Sequence, residues 1–459
     1  MLTQTDPALW RMLRARRVAV VGASSDPSKF GAILLRSIIG GGFSGELFPV
    51  NPKADRIADL QCYPSVSDIP GPLDLVIIVV PAAAVASELV KAAGKGVAGA
   101  FVISGGFREA GRGDLEAEIL RIAREHDLRL FGPNTQGVAY AANRLSAVLW
   151  PVLEAPGPVG VVGQSGTVVA ALTDWAQDEG LGVSASISLG NQADVCESDV
   201  LRLLKEDELT RAIALYLEGV SDGPRFVAAV KDVTMDTPVV VLKCGRSTIG
   251  SQAVASHTGS LAGSDRVFSG MCRQHGVVRA ADTEGLYDAA KILACMPLPA
   301  GNRVLMMSSS GGSCGLSADE ADVQGLALPR LSADYVAGLE ALKLPEWSSF
   351  ANPLDLGGVS LDNFRSAVRM ADAEDLADVI LMVFGDPIAG AEELACELAK
   401  ESRAAICTAI FGGGAMEPGQ RRAMQRAGVP VYPTPERAMR AIGASCWYAE
   451  WRRRKEARI

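Results

Sequence analysis

Short β-branched and aliphatic runs alternate along this chain with longer segments whose apolar positions recur every three or four residues. That alternation predicts strands and helices in regular succession, and hence parallel sheets with helices on both faces. A first group of strands is expected at Arg17–Val21, Leu47–Val50, Leu73–Val80, Ala100–Ile103 and Leu128–Phe131. A second is expected at Val159–Val162, Ser184–Ser188, Ala212–Leu217 and Pro238–Leu242, with a last strand around Val277-Val278. A third covers Arg303–Met307, Val379–Phe384, Ala405–Ile410 and Val429–Tyr432. The proline-rich stretches 150–158 and 296–301 read as linkers. The expected architecture is α/β: three consecutive Rossmann-like or flavodoxin-like units with mainly parallel sheets, at 1–150, 151–297 and 298–459.

Four strands of the first group run into turns of small or turn-forming residues: Gly22-Ala23-Ser24-Ser25, Asn51-Pro52-Lys53, Ser104-Gly105-Gly106 and Gly132-Pro133-Asn134. Ligands of open parallel sheets bind off the carboxyl ends of strands, so these turns gather on one ligand rim. Asp26-Pro27 reads as an N-cap and first helical residue, and Lys29 and Lys53 are placed to meet phosphates. No Gly-x-Gly-x-x-Gly fingerprint and no Walker A loop occurs, which disfavours a nicotinamide-dependent oxidoreductase and a P-loop.

The later groups contain a different anion device. Gln164-Ser165-Gly166-Thr167 opens a helix expected over Val168–Glu179, with Val168, Val169, Leu172, Trp175 and Ala176 as its buried face; the first carboxylate is Asp174. Ser308-Ser309-Ser310-Gly311-Gly312-Ser313 opens another helix whose first carboxylate is Asp319. Helices usually place acids in the first turn to answer the dipole, so two acid-free starts leave amides and hydroxyls for an external anion. Ser165, Gly166, Thr167, Gly311, Gly312 and Ser313 are therefore the candidate phosphate-binding residues.

Of three histidines, His126 and His275 stand at helix exits, where an imidazole answers free carbonyls. His257 stands apart, in a run of small residues and glycines from Ala255 to Asp265. Its imidazole is nucleophilic at neutral pH and is a candidate covalent carrier. Glu218 ends the strand Ala212–Leu217 on the ligand rim. It is either the carboxylate that supports such an imidazole or a solvated loop residue.

Bulk composition narrows the classes. The formal net charge is -9 and aromatic residues make up 5% of the 459. The one basic stripe, Arg452-Arg453-Arg454-Lys455, follows an apolar helix with Trp447 and Trp451 and reads as a solvated helix end, so no nucleic-acid partner is expected. Nine cysteines without a Cys-x-x-Cys pair argue against a disulfide framework and a zinc site, and no metal ligands are assigned. Cys314 reads as a small core residue. No apolar run reaches membrane-spanning length and the start lacks a signal-peptide pattern, so a soluble cytoplasmic protein is expected.

Taken with Val20-Val21-Gly22-Ala23-Ser24, Val50-Asn51-Pro52-Lys53, Gly132-Pro133-Asn134, Gln164-Ser165-Gly166, Tyr216–Val220, Ser256–Asp265 and Val431–Glu436, the chain resembles the NDP-forming acyl-CoA synthetases, relatives of succinyl-CoA synthetase. The likeness is closest to the α subunits of ADP-forming acetyl-CoA synthetases and covers nearly the whole chain. It implies that Gly22, Ala23, Ser24, Ser25, Lys53, Ile103, Ser104, Gly105 and Asn134 contact coenzyme A. It also implies that His257 is the phosphorylated histidine with Glu218 as its supporting carboxylate, and that the two glycine-led helix starts face the phosphoryl group. The implied reaction interconverts acyl-CoA, NDP and phosphate with a small carboxylic acid, CoA and NTP. The family's ATP-grasp module is not recognisable, since one helix follows Glu436. A separate β subunit binding the Mg-nucleotide (ATP/ADP or GTP/GDP) is therefore expected, in a homo- or hetero-oligomer.

The chain departs from the family pattern at Thr135-Gln136, where cysteine plus leucine or proline is usual, and at Gly163, Ala170 and Ser308–Cys314. These positions surround the implied acyl and phosphate sites. A CoA-binding regulatory protein without turnover is the alternative; His257, Glu218 and both helix starts speak against it, because a sensor needs the first unit alone.

Overall fold

The computed structural model describes residues 6–150, 153–258, 263–358, 360–385, 388–412 and 414–457, with the backbone alone for 255–258. The chain divides into two compact units, Met1–Gln177 with Gly182–His275, and Asp178–Leu181 with Gly276–Ile459. The α/β architecture with several mainly parallel sheets is as the residue pattern predicts.

In the first unit one sheet has the order Glu46–Val50, Arg17–Val21, Leu75–Ile78, Gly99–Val102, Arg129–Phe131, all parallel. Leu75–Ile78 is buried throughout, as expected of a strand covered by helices on both faces. Its core joins Ala19, Val76, Ile78 and Leu130 to Val85 and Leu89 of the helix Ala82–Ala93 and Ile119 of the helix Gly113–Glu125. Each valine, leucine or isoleucine among them, fully buried, contributes about 1.5–3 kcal/mol.

The unit's second sheet runs Val239–Lys243, Ala212–Leu217, Pro156–Gly163, Val183–Ser188, Gly137–Tyr140, Leu145–Val148. The first four strands are parallel and the last two add an antiparallel hairpin. The hairpin went unread in the sequence because its turn lacks an Asn-Gly signal. It lies before the boundary drawn at 150, yet it pairs with this later sheet. Gly137 explains the closeness: its φ is +112° and an added Cβ would lie 2.0 Å from the Ala147 carbonyl oxygen. Pro156, read as linker, begins a strand.

The second unit holds a parallel sheet ordered Leu354–Asp355, Val304–Ser308, Val379–Phe384, Ala405–Ile410, Val431–Tyr432. Its core packs Leu305, Ile380 and Met382 against Phe364, Val368 and Leu398. A buried polar cluster sits beside it. Lys291, fully buried, donates to Glu179 at 3.0 Å and to the Val431 carbonyl at 2.8 Å and lies 4.1 Å from the Tyr432 ring centroid.

Smaller expectations resolve individually. The helix Phe30–Gly40 starts three residues later than Asp26-Pro27 predicts, because the Asp26 carboxylate closes a turn onto Ser28 instead. The helix Gly166–Asp178 buries Val169, Leu172 and Ala176, whereas Trp175 is 38% exposed. His126 caps the helix Gly113–Glu125, and His275 ends Asp265–His275 with its carbonyl accepting from Thr234. The basic stripe is the last turn of the helix Pro435–Glu456, where Arg453 donates to the Pro299 carbonyl. No described helix is long and apolar enough to cross a membrane.

Candidate active site

The parallel part of each large sheet reverses its strand order once, and a sequence-predicted turn falls at each reversal. In the first sheet the reversal lies beside Arg17–Val21, whose following turn starts at Gly22. Gly22 has φ +88° and an added Cβ would lie 2.6 Å from the Val79 carbonyl, so the backbone can pass there only as glycine. Asn51 donates to the Ala23 carbonyl at 2.8 Å and accepts from Lys53 N at 2.9 Å, tying the second turn to the first. Lys53 itself is exposed. Ile103 and Ser104 are buried, with Ser104 donating to the Val80 carbonyl at 2.5 Å. A Cβ on Gly105 would lie 3.0 Å from Asn134 Oδ1. Asn134 adopts φ +58° and leaves its side chain exposed at the rim. Protein groups crowd the places where a Cβ on Gly22 or Gly105 would stand, and the turns these glycines allow lie at the carboxyl ends of the strands, where ligands of parallel sheets bind.

The second sheet reverses between Pro156–Gly163 and Ala212–Leu217, where Gln164–Thr167 and Glu218 meet. Gln164 Oε1 accepts from the backbone N–H groups of Glu218 (2.5 Å) and Gly219 (3.0 Å), and its Nε2 donates to the Gly219 carbonyl at 2.7 Å. Glu218 is 6% exposed and so is no solvated loop residue. Burial, then Cys244 and Glu218, push the neighbouring Tyr216 phenol up, so it remains protonated. The helix Gly166–Asp178 has no acid in its first turn. Thr167 is exposed and Ser165 half-buried.

Both rims meet within this unit. The backbone N–H of Asn191 donates to the Pro133 carbonyl (2.9 Å) and that of Ala193 to the Gly132 carbonyl (3.0 Å). The Asn134 amide reaches Asn191 Oδ1 at 3.4 Å, and Thr135 donates to the Ser188 carbonyl at 2.5 Å. Asn191 also donates to Glu109 (2.6 Å) and Glu116 (3.0 Å). Against the cost of its burial, the bonds from Asn191, Gly106 and Phe107 hold the Glu109 carboxyl below the usual range. A Cβ on Gly166 would lie 2.5 Å from Gln136 Cγ and Cδ, so Gln136 runs directly beside the helix start. The turn implied to hold CoA and the helix start implied to hold phosphate are thus neighbours, with Thr135-Gln136 between them.

The third sheet repeats the reversal beside Val304–Ser308. Ser309 Oγ accepts from Gly385 N at 2.8 Å, and the helix Gly311–Val323 follows with no acid in its first turn. The Ser313 hydroxyl, expected to face a ligand, is buried and bonded to Ser308 Oγ (2.6 Å) and the Ser310 carbonyl (2.7 Å). An acid does reach this helix start from elsewhere: Asp355 Oδ2 would lie 2.7 Å from a Cβ on Gly311. Burial, then Asp355, push the Cys314 thiol up to about 11, which keeps it protonated at neutral pH.

The His257 backbone forms the end of the helix Thr248–Thr258 instead of a loop, consistent with the helix-favouring Gln252, Ala253 and Ala255 before it. Its imidazole lies outside the described residues, as do 259–262. Sequence reasoning passed over Gln192, Asn191, Glu197 and Asp355. Gly190-Asn191-Gln192, just past a strand end on the ligand rim, was the available signal for two of them; nothing local marks Glu197 or Asp355.

Two domain families match the chain: a CoA binding domain over residues 16–141 and a succinyl-CoA ligase like flavodoxin domain over 156–293. Among curated relatives, the ADP-forming acetate–CoA ligase I subunit alpha of Pyrococcus furiosus is 36% identical, covering 97% of this chain and 98% of its own length. The ADP-forming 4-hydroxybutyrate–CoA ligase of Nitrosopumilus maritimus is 30% identical over 96% of this chain and 64% of its own. A solved acetyl-coenzyme A synthetase 1 of Ca. Korarchaeum cryptofilum, in complex with phosphate and ADP, superposes with a TM-score of 0.89 at 34% identity, covering 98% and 99% of the two chains. The chain belongs to the family of NDP-forming acyl-CoA synthetases and is an acid–thiol ligase of the α type.

Proposed function

We propose that this chain carries both the thioester half and the phosphoryl-carrier half of the reaction, and that a partner subunit carries the nucleotide. Residues 1–150 bind CoA, 151–297 hold the phosphohistidine segment, and 298–459 form a second ligase unit; the hairpin 137–148 packs with the middle sheet. Gly22, Ala23, Ser24, Ser25, Lys53, Ile103, Ser104, Gly105 and Asn134 receive CoA. Ser165, Gly166, Thr167, Gly311 and Gly312 receive phosphate, and Ser313, whose amide donates to the Ser310 carbonyl at 3.3 Å and whose hydroxyl bonds Ser308 and Ser310, holds the second turn in shape.

Phosphate oxygen attacks the acyl-CoA carbonyl, the C–S bond breaks, and acyl phosphate and CoA thiol result. A His257 ring nitrogen then attacks phosphorus, the P–O bond to the acyl group breaks, and the carboxylic acid leaves. Phosphohistidine finally passes its phosphoryl group to an NDP oxygen, regenerating imidazole. Glu218 supports the positive form of the ring, and the amide-lined start at Gly166 stabilises charge on the transferred group. The observation that supports this reading is the junction of 132–136 with 188–192, which brings the turn proposed for CoA beside the Gly166 helix start.

Relatives of matching length are named alpha subunits, whereas this chain spans 64% of a relative with no subunit label. That supports an ATP-grasp β subunit as partner, holding the Mg-nucleotide. Cytoplasmic action follows from the substrates. The acid is a small carboxylic acid such as acetate or 4-hydroxybutyrate.

The test incubates the full-length protein with [32P]orthophosphate and each of acetyl-CoA, 4-hydroxybutyryl-CoA and an aromatic acyl-CoA. An acid-labile, base-stable protein label that disappears in His257→Ala is expected with at least one thioester. Label persisting in that variant, or CoA binding with no label from any thioester, would overturn the reading in favour of another carrier or a protein without turnover.

A further inference from the structure

Three turns of the second sheet are linked by a directional chain of side-chain amides that ends on a buried carboxylate. Gln164 faces two backbone N–H groups, those of Glu218 and Gly219, so its oxygen must point to them. Its NH2 group is thereby turned to the Gly219 carbonyl at 2.7 Å and to Gln192 Oε1 at 2.6 Å. Gln192, having presented its oxygen, presents its own NH2 to Glu197 Oε2 at 2.8 Å. Only a hydrogen-bond acceptor at position 197 agrees with the N–H pair at the other end. Reversing either amide would set like groups against each other at partly buried positions.

Two further observations set this chain apart from ordinary packing. Glu197 is 1% exposed, and among the described residues no cation within salt-bridge distance offsets the cost of that burial, which raises its carboxyl above the usual range. Gln192 holds φ +54°, a left-handed conformation that a non-glycine residue keeps only where its surroundings dictate it. The preceding Gly190 permits that turn, since its Cβ would lie 2.4 Å from the Pro133 carbonyl.

We propose that Glu197 is a positioning residue for phosphoryl transfer, acting through Gln192 and Gln164 to fix the turn that presents Glu218. The inference rests on the phosphohistidine reading above. Glu197 reaches the Glu218 turn through the two amides, so its effect falls on the rate of the step that Glu218 supports. The CoA rim is held by the adjacent Asn191 through separate bonds to Asn134, Glu109 and Glu116, and it is left in place when the chain is cut at 192 or 197.

The experiment uses the full-length protein, [32P]orthophosphate and the thioester that labels wild type fastest. The label rate is measured for wild type, Glu197→Leu, Gln192→Met and Glu197→Gln, with CoA affinity determined by calorimetry in each. Glu197→Leu and Gln192→Met are expected to slow labelling about tenfold to a hundredfold at unchanged CoA affinity. Glu197→Gln keeps an acceptor oxygen and is expected to stay within about threefold of wild type. Should Glu197→Leu fail to fold, the half-buried Gln192→Met carries the test. Wild-type label rates in Glu197→Leu or Gln192→Met, a rate loss matched by an equal loss of CoA affinity, or Glu197→Gln as slow as Glu197→Leu, would overturn the proposal. Absence of His257-dependent label in wild type is a different result and strikes the phosphohistidine reading instead.

Discussion

At the Gly166 helix start an added methyl group would run into the stem of Gln136, its Cβ at 2.7 Å and its Cγ at 2.5 Å, whereas at Gly311 it would meet the carboxylate tip of Asp355 at 2.7 Å. Both starts follow a parallel strand, both lie where strand order reverses, and both lack an acid in the first turn. Their surroundings divide them. The positive end of Gly166–Asp178 is bordered by a neutral amide, and the positive end of Gly311–Val323 is already partly answered by a carboxylate from the neighbouring strand. An external anion meets an open dipole at the first and a competitor at the second. A first turn free of acids therefore does not by itself leave a helix start unopposed, and at the second any phosphate must compete with Asp355.

The contrast can be pressed hardest at the glycines. Gly166→Ala forces Gln136 to move from its root, and the rate of His257 labelling is expected to fall about a hundredfold. The double variant Gly166→Ala with Gln136→Ala should recover most of it, because the pair is in contact and non-additive. No recovery would show that the loss comes from the helix backbone itself. Gly311→Ala displaces only the end of a side chain, and less than about a tenfold fall is expected in the same assay. Equal losses at the two glycines would erase the distinction.

A smaller effect tests the competitor directly. Asp355→Asn removes the charge that answers the second helix, which is worth about 0.3–1 kcal/mol, so the melting temperature in anion-free buffer should drop by about 1–4 °C. Added phosphate should restore it by filling the vacated role. An unchanged or raised melting temperature would mean the carboxylate does not serve the dipole. The smallest expected effect is none at all. With its thiol pushed up to about 11, Cys314 should resist iodoacetamide at pH 8 in the folded protein, reacting about a hundredfold more slowly than free cysteine when followed by mass spectrometry. Ready alkylation there would mean the helix start is more open than the bonded serines imply.

Much of the candidate site's local geometry was legible because its signals are local. Gly22, the turn at Asn51–Lys53, the glycine-led helix starts and Glu218 at a strand end each show in a few consecutive residues, since strand-to-helix turns on a ligand rim demand small residues and leave amides free. The alternation of apolar periods likewise predicted three parallel sheets, because period two and period 3.6 are properties of the chain itself. Illegible parts depended on residues far apart in sequence. The hairpin Gly137–Val148 joined a later sheet through pairing that no local turn signal announces. Trp175 read as core because helical periodicity marks a face without saying where that face ends.

The chain's own pattern determined the class of fold, the order of its strands and helices, and which turns could receive phosphate or CoA. Tertiary structure alone decided which carboxylate stands at which helix start, that Gln164, Gln192 and Glu197 align in one polarity, and that the turn at 132–136 meets the Gly166 helix start. Hydrogen-bond direction and electrostatic neighbourhood are properties of pairs of groups brought within about 3 Å, and no single segment of sequence contains both members of such a pair.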